Sequence, residues 1–444
     1  MPLISHAAPD AIVAYRAGAP IRVSRFLADV SQLAASFPPG RHVINVCADR
    51  YRFMVGFAAA LTSGRISLLP PTHTPEVVRH LAAFAPDVFC LTDAADCDID
   101  LPWMRYPERA GDAAGPWPVP RIGRDATVAF VFTSGSTGVP VPHRKTWGPL
   151  VRCVRDGAIR LGLENRSYGV LATVPPQHMY GFESSVLLPM HSDGALCAER
   201  PFYPADICAA LQAIPRPRVL VSTPVHLRAV LASQADVPEA DLIVSATAPL
   251  TQALAREAEQ RFHAPLMEIY GSTETGQIAV RRTARECEWR LWPQVRLTRE
   301  DGRTVARGGH LEQPTPLCDE LELLGAGRFR LHGRLADLVN IAGKRSSLAY
   351  LTHQLTGIEG VLDGAFFFPG DCRADELGVT RLAAAAVAPS LDAAHILEAL
   401  RRRIDPVFLP RPLLLIDRMP RNSTGKLPQQ ALRALLADPV RRRA

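Results

Sequence analysis

The sequence predicts an α/β protein: a large N-terminal domain of parallel sheets with helical crossovers that carries a small barrel-like subdomain, followed by a small α+β C-terminal domain. Three observations predict it. Short apolar runs alternate with Ala/Leu/Arg-rich stretches over about the first 270 residues, the pattern of parallel strands joined by crossover helices. From Trp289 to Arg334 the pattern changes to short strands of polar alternation. After GRLAD (333–337) a compact mixture follows, with an Ala-rich helical stretch, PSLDAAHILEALRRRI (389–404). The boundary is therefore placed at Asp337, giving domains 1–336 and 337–444, and 444 residues are more than one core usually supports.

Taken in order, HVINVC (42–47), ISLL (66–69), VFCLT (88–92), VAFVFT (128–133), YGVLAT (168–173), RVLVST (218–223) and LIVSAT (242–247) read as buried strands. FMVGFAAALTSG (53–64), PEVVRHLAAFAP (75–86), ICAALQAI (207–214) and LTQALAREAEQRF (250–262) read as the helices between them. In the middle segment RLWPQVRLT (290–298), LELL (321–324) and RFRLHGR (328–334) read as the strands of the small subdomain.

Composition narrows the function. Hydrophobic residues make up 47% and charged residues 21%, the proportions of an ordinary soluble globular protein. A net charge of +6 without a Lys-rich stripe or aromatic–basic interleaving does not favour nucleic acid. It suits anionic nucleotides, CoA or an acidic carrier protein. Nine scattered cysteines without a CxxC pair point to reduced, mostly buried thiols in a cytoplasmic protein. No basic-then-apolar leader and no apolar run of about 18–20 residues is present, so neither secretion nor membrane insertion is expected.

Of the 50 Lys and Arg residues only three are lysines: Lys145, Lys344 and Lys426. They follow TSGSTG (133–138), or lie inside NIAGKRSS (340–347) and RNSTGKLP (421–428). Where arginine has replaced nearly every other cation, a retained lysine marks a place needing a compact ammonium against phosphate or carboxylate. That argument applies most strongly to Lys426, which would otherwise read as an ordinary turn lysine.

Two further segments carry chemistry. VAFVFTSGSTGVP runs from a buried strand into a Ser/Thr/Gly loop whose amides and hydroxyls can converge on an anion. It lacks the GK[ST] of a Walker A loop, and without the preceding strand it would read equally well as a flexible linker. YGSTETG (270–276) follows the apolar LMEI (266–269), and Glu274 stands among hydroxyls where it can hold Mg²⁺. The competing reading is a capping box at a helix start.

In this order, TSGSTG, YGSTETG, GRLADLVNIAGKR (333–345) and NSTGK (422–426) resemble the adenylate-forming superfamily of acyl-CoA synthetases, aryl-acid ligases and peptide-synthetase adenylation domains. The resemblance covers about residues 125–430. It implies ATP and Mg²⁺, an acyl-adenylate intermediate and a thiol acceptor. On that likeness Thr133, Ser134, Gly135, Ser136, Thr137 and Gly138 would cradle the β,γ-phosphates. Ala246, in SATAPL (245–250), would lie by the adenine together with Tyr270 and Gly271. Thr273 would meet the α-phosphate, Glu274 the metal, Asp319 both ribose hydroxyls, Arg334 the ribose or phosphate, and Lys426 both the α-phosphate and the carboxylate. In PPQHMYGFE (175–183), His178, Tyr180 and Gly181 would line the acid pocket, with Ser222 or His226 of STPVHL (222–227) as a further wall. Asp337 would be the hinge about which a mobile C-terminal domain rotates.

Two positions depart from the family pattern. Val141 stands where a lysine is usual, leaving Lys145, with His143 and Arg144, as a possible replacement charge, and Asn340 replaces another common lysine. The short chain and the PHRKTW continuation of the loop look like compact ligases of bacterial pigment pathways. These would imply a hydroxybenzoate such as 4-hydroxybenzoate as substrate and an acyl carrier protein as acceptor, with Arg401 to Arg403 and Arg441 to Arg443 meeting its acidic surface. An acyl- or aryl-CoA synthetase using free CoA, or a non-catalytic binding relative, are the alternatives.

Overall fold

The computed structural model describes residues 1–108, 118–134, 140–248, 250–334, 338–341, 344–369, 382–422 and 425–437. By packing, the chain divides into two units: Met1–Ala246 with Gln252–Arg296 and Ala306–Thr315, and Thr247–Thr251 with Leu297–Val305 and Pro316–Ala444. The architecture is the α/β one predicted, with a large sheet-rich unit and a smaller one. Asp337 lies outside the described residues.

The first unit is built on two sheets. The strands are β1 (Ile12–Arg16), β2 (Ala19–Arg22), β3 (His42–Asn45), β4 (Ile66–Leu69), β5 (Val88–Thr92), β6 (Trp103–Arg105), β7 (Thr127–Ser134), β8 (Pro140–Thr146), β9 (Tyr168–Ala172), β10 (Gly194–Cys197), β11 (Arg218–Ser222), β12 (Leu242–Ser245), β13 (Leu266–Ser272), β14 (Gly276–Arg281) and β15 (Glu288–Leu291). One sheet runs β6-β5-β3-β4-β7-β8, and the other contains β15-β14-β13-β12-β11-β9-β10-β1-β2. The pairs β7–β8, β1–β2, β13–β14 and β14–β15 are antiparallel, and the others in this order are parallel. Every residue of β4, β9, β10 and β12 is buried. Strands covered on both faces need no alternation, which is why they read as unbroken apolar runs.

All seven runs predicted as strands form strands. The stretch RLWPQVRLT does not stay whole: β15 ends at Leu291, and β16 (Val295–Glu300) begins after Pro293, which has no N–H to donate, and Gln294, whose φ is +64°. With β17 (Arg303–Gly308) and β18 (Thr315–Pro316), β16 makes a small three-stranded sheet.

The helix Arg50–Thr62 begins where the Asp49 carboxylate accepts the Arg52 N–H at 2.8 Å, an N-cap that orders the first turn. Arg50 is fully buried and donates to the carbonyls of Ala172 (2.9 Å) and Val174 (2.8 Å) and to Ser185 Oγ (2.6 Å). It ties that helix to the segment entering the PPQHMYGFE stretch.

The second unit contains the hairpin β19 (Asp319–Gly325) and β20 (Arg328–Arg334), the hairpin β21 (Leu338–Ile341) and β22 (Lys344–Ser347), and a sheet of β23 (Asp363–Phe367), β24 (Ala383–Val387) and β25 (Leu413–Leu415). Leu351 and Leu355 of the helix Leu348–Thr356, and Ile396 and Leu400 of the helix Ala393–Arg401, share a core with Phe366 and Ala384. Among the described residues no helix is long and apolar enough to cross a membrane. The eight described cysteines are unpaired; five are buried, Cys97 is half-buried, and Cys287 and Cys318 are exposed.

Candidate active site

Two hairpins carry the motif residues of the first unit. In the β7–β8 hairpin Thr133 sits opposite Val141 and Val131 opposite His143. Gly135, Ser136, Thr137 and Gly138 lie outside the described residues, as does the Ser134 side chain. YGSTETG is a hairpin turn between β13 and β14, not the start of a helix, so the capping-box reading is set aside. Its shape comes from its own hydroxyls: the Ser272 N–H donates to Thr275 Oγ1 at 3.1 Å and the Thr275 N–H to Ser272 Oγ at 3.2 Å. Tyr270 leaves this segment to stack against Trp289, 5.6 Å between ring centres, and Gly271 pairs with Gln277.

His143 links the two hairpins. Its Nε2 lies 3.0 Å from Thr133 Oγ1 and 3.7 Å from Glu274 Oε1. Burial pushes the imidazole below its ordinary range, while the neighbouring Glu274 charge acts in the opposite sense. At Glu274 burial acts to raise the carboxyl, but the Ser272 hydroxyl, its own amide, His143 and Lys145 outweigh it, so it stays below the usual carboxylate value. The result is an ionised, half-exposed carboxylate among hydroxyl oxygens, a donor set of the hard-oxygen kind that Mg²⁺ takes.

The underside of the turn rests on buried polar groups, of which the sequence marked only Lys145. Lys145 Nζ donates to the Thr273 carbonyl at 2.5 Å and the Glu274 carbonyl at 3.4 Å. His310 Nε2 lies 2.8 Å from the Thr275 carbonyl, so that nitrogen carries the proton. Beneath them Glu183 is wholly buried in a short π-helical segment, Glu183–Leu187, and Cys153 Sγ donates to its Oε1 at 3.3 Å. Burial raises the Glu183 carboxyl to about 7 against the pull of Lys145, and burial lowers the Lys145 ammonium against the pull of Glu183. These groups line a pocket of about 110 Å³ with Glu274, Thr275 and Glu312. Lys145 is therefore bonded to the Glu274 turn and is not a free cation at the phosphate loop.

The PPQHMYGFE stretch forms a sharp entry into the helical turn Met179–Phe182. A side chain at Gly181 would place its Cβ 2.0 Å from the Pro175 carbonyl oxygen, so glycine is required for this close approach. The buried Tyr180 hydroxyl lies within hydrogen-bonding distance of the carbonyls of Val244 (2.9 Å) and Ser222 (3.1 Å), and Ser222 Oγ lies 3.1 Å from Thr173 Oγ1. Tyr180 and Ser222 thus bind the ends of β9, β11 and β12 together. His178 flanks the turn at its N-terminal end, and its carbonyl accepts the Phe182 N–H at 2.8 Å. His226 is buried, with Nδ1 2.8 Å from Thr223 Oγ1. Ala246 is buried directly after β12, and Thr247 takes φ +81°, a conformation that glycine adopts more readily.

In the second unit the β19–β20 hairpin places Asp319 directly opposite Arg334, bringing together two residues expected to serve the nucleotide. The Arg334 side chain lies outside the described residues. Lys426 stands on an exposed turn: its N–H donates to Asn422 Oδ1 at 2.9 Å, and the Asn422 N–H donates to its carbonyl at 2.9 Å. Arg421 braces that turn, donating to the Gly425 carbonyl at 2.8 Å and to both Asp363 carboxylate oxygens at 2.8 and 2.7 Å. Arg401 and Arg402 face Glu398 at 3.0 and 3.4 Å, which offsets part of their charge, and Arg441 to Arg443 lie outside the described residues.

The model of the AMP-binding enzyme family matches residues 8–309. The chain is 32% identical over 280 residues to a 4-coumarate–CoA ligase of Rhodobacter capsulatus, covering 61% of this chain and 70% of that protein. It is 26% identical over 418 residues to an indoleacetate–CoA ligase of Aromatoleum aromaticum, covering 82% and 78%. In fold it is similar to ATP-bound MatB from Rhodopseudomonas palustris, with a TM-score of 0.82, 17% identity and 99% of each chain covered.

Proposed function

We propose, from the premise that this chain belongs to the AMP-binding enzyme family, that it activates an aromatic carboxylic acid with ATP and passes the acyl group to a thiol. In the first half-reaction a carboxylate oxygen attacks the α-phosphorus of ATP, the bond from that phosphorus to the bridging oxygen breaks, and pyrophosphate leaves. In the second a thiolate attacks the acyl carbon, the carbon–oxygen bond to the nucleotide breaks, and AMP leaves.

The observation that carries this reading is the convergence of Thr133 and Glu274 on His143, which joins the strand feeding the TSGSTG loop to the YGSTETG turn. In this scheme Thr133, Ser134, Gly135, Ser136, Thr137 and Gly138 hold the β,γ-phosphates, and Thr273 donates to the α-phosphate. Glu274 would hold Mg²⁺, which when bound would offset the phosphate charge. Ala246, Tyr270, Gly271, Asp319 and Arg334 hold the nucleoside, and His178, Tyr180, Gly181 and Ser222 shape the acid pocket. Lys426 neutralises charge that develops between the carboxylate and α-phosphate, an interaction that matters most in the transition state. Residues 337–444 turn about Asp337 between the half-reactions, so that Lys426 serves only the first.

Free CoA is the acceptor best supported, because the similar proteins are named as CoA ligases of aromatic acids. A carrier-protein phosphopantetheine with 4-hydroxybenzoate, as in pigment-pathway ligases, is the second reading. It draws on the loop sequence, while the pairing of Arg401 and Arg402 with Glu398 weakens its electrostatic argument. ATP and CoA are cytoplasmic solutes, in keeping with a cytoplasmic enzyme. ATP–pyrophosphate exchange across 4-hydroxybenzoate, 3-hydroxybenzoate, cinnamates and octanoate is the test. Exchange with an aromatic acid is expected; exchange with octanoate alone would move the substrate to fatty acids, and none with any acid would favour a binding-only relative. Thioester formation with CoA, measured beside a phosphopantetheinylated carrier, separates the two acceptors.

A further inference from the structure

Lysine is rare in this chain, and Lys145, the lysine that follows TSGSTG, is bonded to backbone carbonyls of the YGSTETG turn. Val141, His143 and Lys145 occupy alternate positions of β8 and so share one face. Val141, where the resemblance leads one to expect a lysine, is 45% exposed, whereas Lys145 is buried. Four residues of strand separate the two by about 13 Å, beyond what a lysine stem spans. From the buried end Lys145 Nζ meets the carbonyls of Thr273 and Glu274, and His310 meets the next carbonyl, that of Thr275. Three successive carbonyls of one turn are thus met by side chains from β8 and from the segment after β17. A turn fastened this way on its inner side has little freedom left for the carboxylate on its outer side.

We propose that Lys145 is a positioning residue: it fixes the Thr273–Glu274 backbone so that the Glu274 carboxylate is presented to the divalent cation of the nucleotide. This rests on the adenylation reading and is separate from any role as a charge for the phosphate loop. The fit of the site is that of a half-exposed carboxylate and neighbouring hydroxyl oxygens to Mg²⁺.

The test uses the full chain and the variants Lys145→Met, Lys145→Arg and Val141→Lys/Lys145→Met. Three quantities are read: the MgATP dissociation constant by calorimetry, the Mg²⁺ concentration at half-maximal pyrophosphate exchange, and Tm. Loss of an outer partner that orients a metal ligand is expected to weaken MgATP binding and raise the Mg²⁺ midpoint by about tenfold or more in Lys145→Met. The KM for the aromatic acid should stay within about twofold, since the proposed acid pocket is assigned to His178, Tyr180, Gly181 and Ser222 and not to this turn. Lys145→Arg should recover part of the loss, and the double variant should be as impaired as Lys145→Met. An unchanged Mg²⁺ midpoint and MgATP affinity, whatever Tm does, would reduce Lys145 to a stabilising contact and overturn the proposal. Restoration by Val141→Lys would overturn it too, because the missing element would then be charge at the loop. Should Lys145→Met fail to fold, His310→Gln loosens the third carbonyl and must shift the Mg²⁺ midpoint in the same direction; no shift refutes the proposal. Wild-type protein that neither binds MgATP nor exchanges pyrophosphate would instead remove the adenylation reading itself, a result distinguishable from wild-type exchange that Lys145→Met leaves unaltered.

Discussion

The two turns that would bring charge to the proposed reaction are built in opposite ways. The Glu274 turn depends on distant parts of the first unit: Lys145 lies 128 residues away in sequence and His310 lies 35 residues from Thr275. The Lys426 turn is largely closed by its own residues, through Asn422 and Gly425, with Arg421 bracing it against β23. The first is an anion on a packed polar base, and the second is a finger held by bonds local to its own unit. A group that must be present for one half-reaction and absent for the other is better carried on the second kind of turn.

Removing the ammonium from the finger is the strongest way to break this comparison. Lys426→Ala is expected to lower pyrophosphate exchange by about 10²–10³-fold, the cost of deleting one donor aimed at developing charge. Because Lys426 is exposed, Tm should hold, and so should thioester formation from presynthesised acyl-adenylate. Unchanged exchange would remove Lys426 from the mechanism. Equal loss in both half-reactions would deny that the finger serves only one.

What the sequence disclosed follows the same division. The parallel strands were legible because strands buried on both faces leave continuous apolar runs, as in ISLL and YGVLA. The YGSTETG turn was legible because its turn chemistry is local, whereas most of TSGSTG lies outside the described residues. The scarcity of lysine marked Lys145 correctly as special but suggested a phosphate as its partner. Its actual partners are backbone carbonyls, which have no residue signature and are brought near only by the packing of β8 beside the β13–β14 turn. Glu183, His310 and the Arg421–Asp363 pair escaped for the same reason. Tyr180 and Ser222 were read as pocket walls, yet both spend polar atoms on the framework of β9, β11 and β12.

Acid should expose the cost of burying polar groups in the first unit. His191 is fully buried against Trp147, 5.2 Å between ring centres, and neither ring nitrogen has a hydrogen-bond partner. Burial, with Arg155 and His6 adding to it, lowers the imidazole from 6.5 to about 3. The unfolded chain therefore binds a proton that the folded chain refuses over that window. Stability is fully present above pH 6.5 and is lost as pH falls from 6.5 towards 3, by about 3–5 kcal/mol for this one group. His191→Leu should flatten that part of the stability–pH curve and cost little at pH 7. A curve that keeps its slope would show that other groups dominate acid unfolding.

Gly276 sharpens the picture of a turn seated on its base. Its φ is +67°, and an added Cβ would lie 2.6 Å from Glu183 Oε1 and 3.4 Å from Cys153 Sγ. Gly276→Ala is expected to destabilise the protein by about 2 kcal/mol, through backbone strain and displacement of a buried carboxylate. It should also raise the Mg²⁺ requirement, because Glu274 is two residues away. Denaturant unfolding measures the first effect and a Mg²⁺ titration of exchange the second. A loss of stability with an unmoved Mg²⁺ midpoint would mean that the turn tolerates a shifted base.

The smallest expected effect is at the brace of the finger. Asp363 accepts two bonds from Arg421 and one from the Gly364 N–H at 2.8 Å, and both members of the pair are mostly shielded from solvent, at 18% side-chain exposure each. Asp363→Asn keeps the shape, removes the charge and leaves one acceptor for Arg421. A partly buried, two-pronged ion pair of this kind is worth about 1 kcal/mol or somewhat more. Exchange should fall by a few-fold, about the factor that such an energy gives, with the KM for the acid unchanged. If the finger closes mainly on its own residues, the loss should stop there, because Asn422 still accepts from the Lys426 N–H. If Asp363→Asn instead matches Lys426→Ala in exchange, the turn is no more self-sufficient than the Glu274 turn, and the distinction between a seated anion and a portable cation fails.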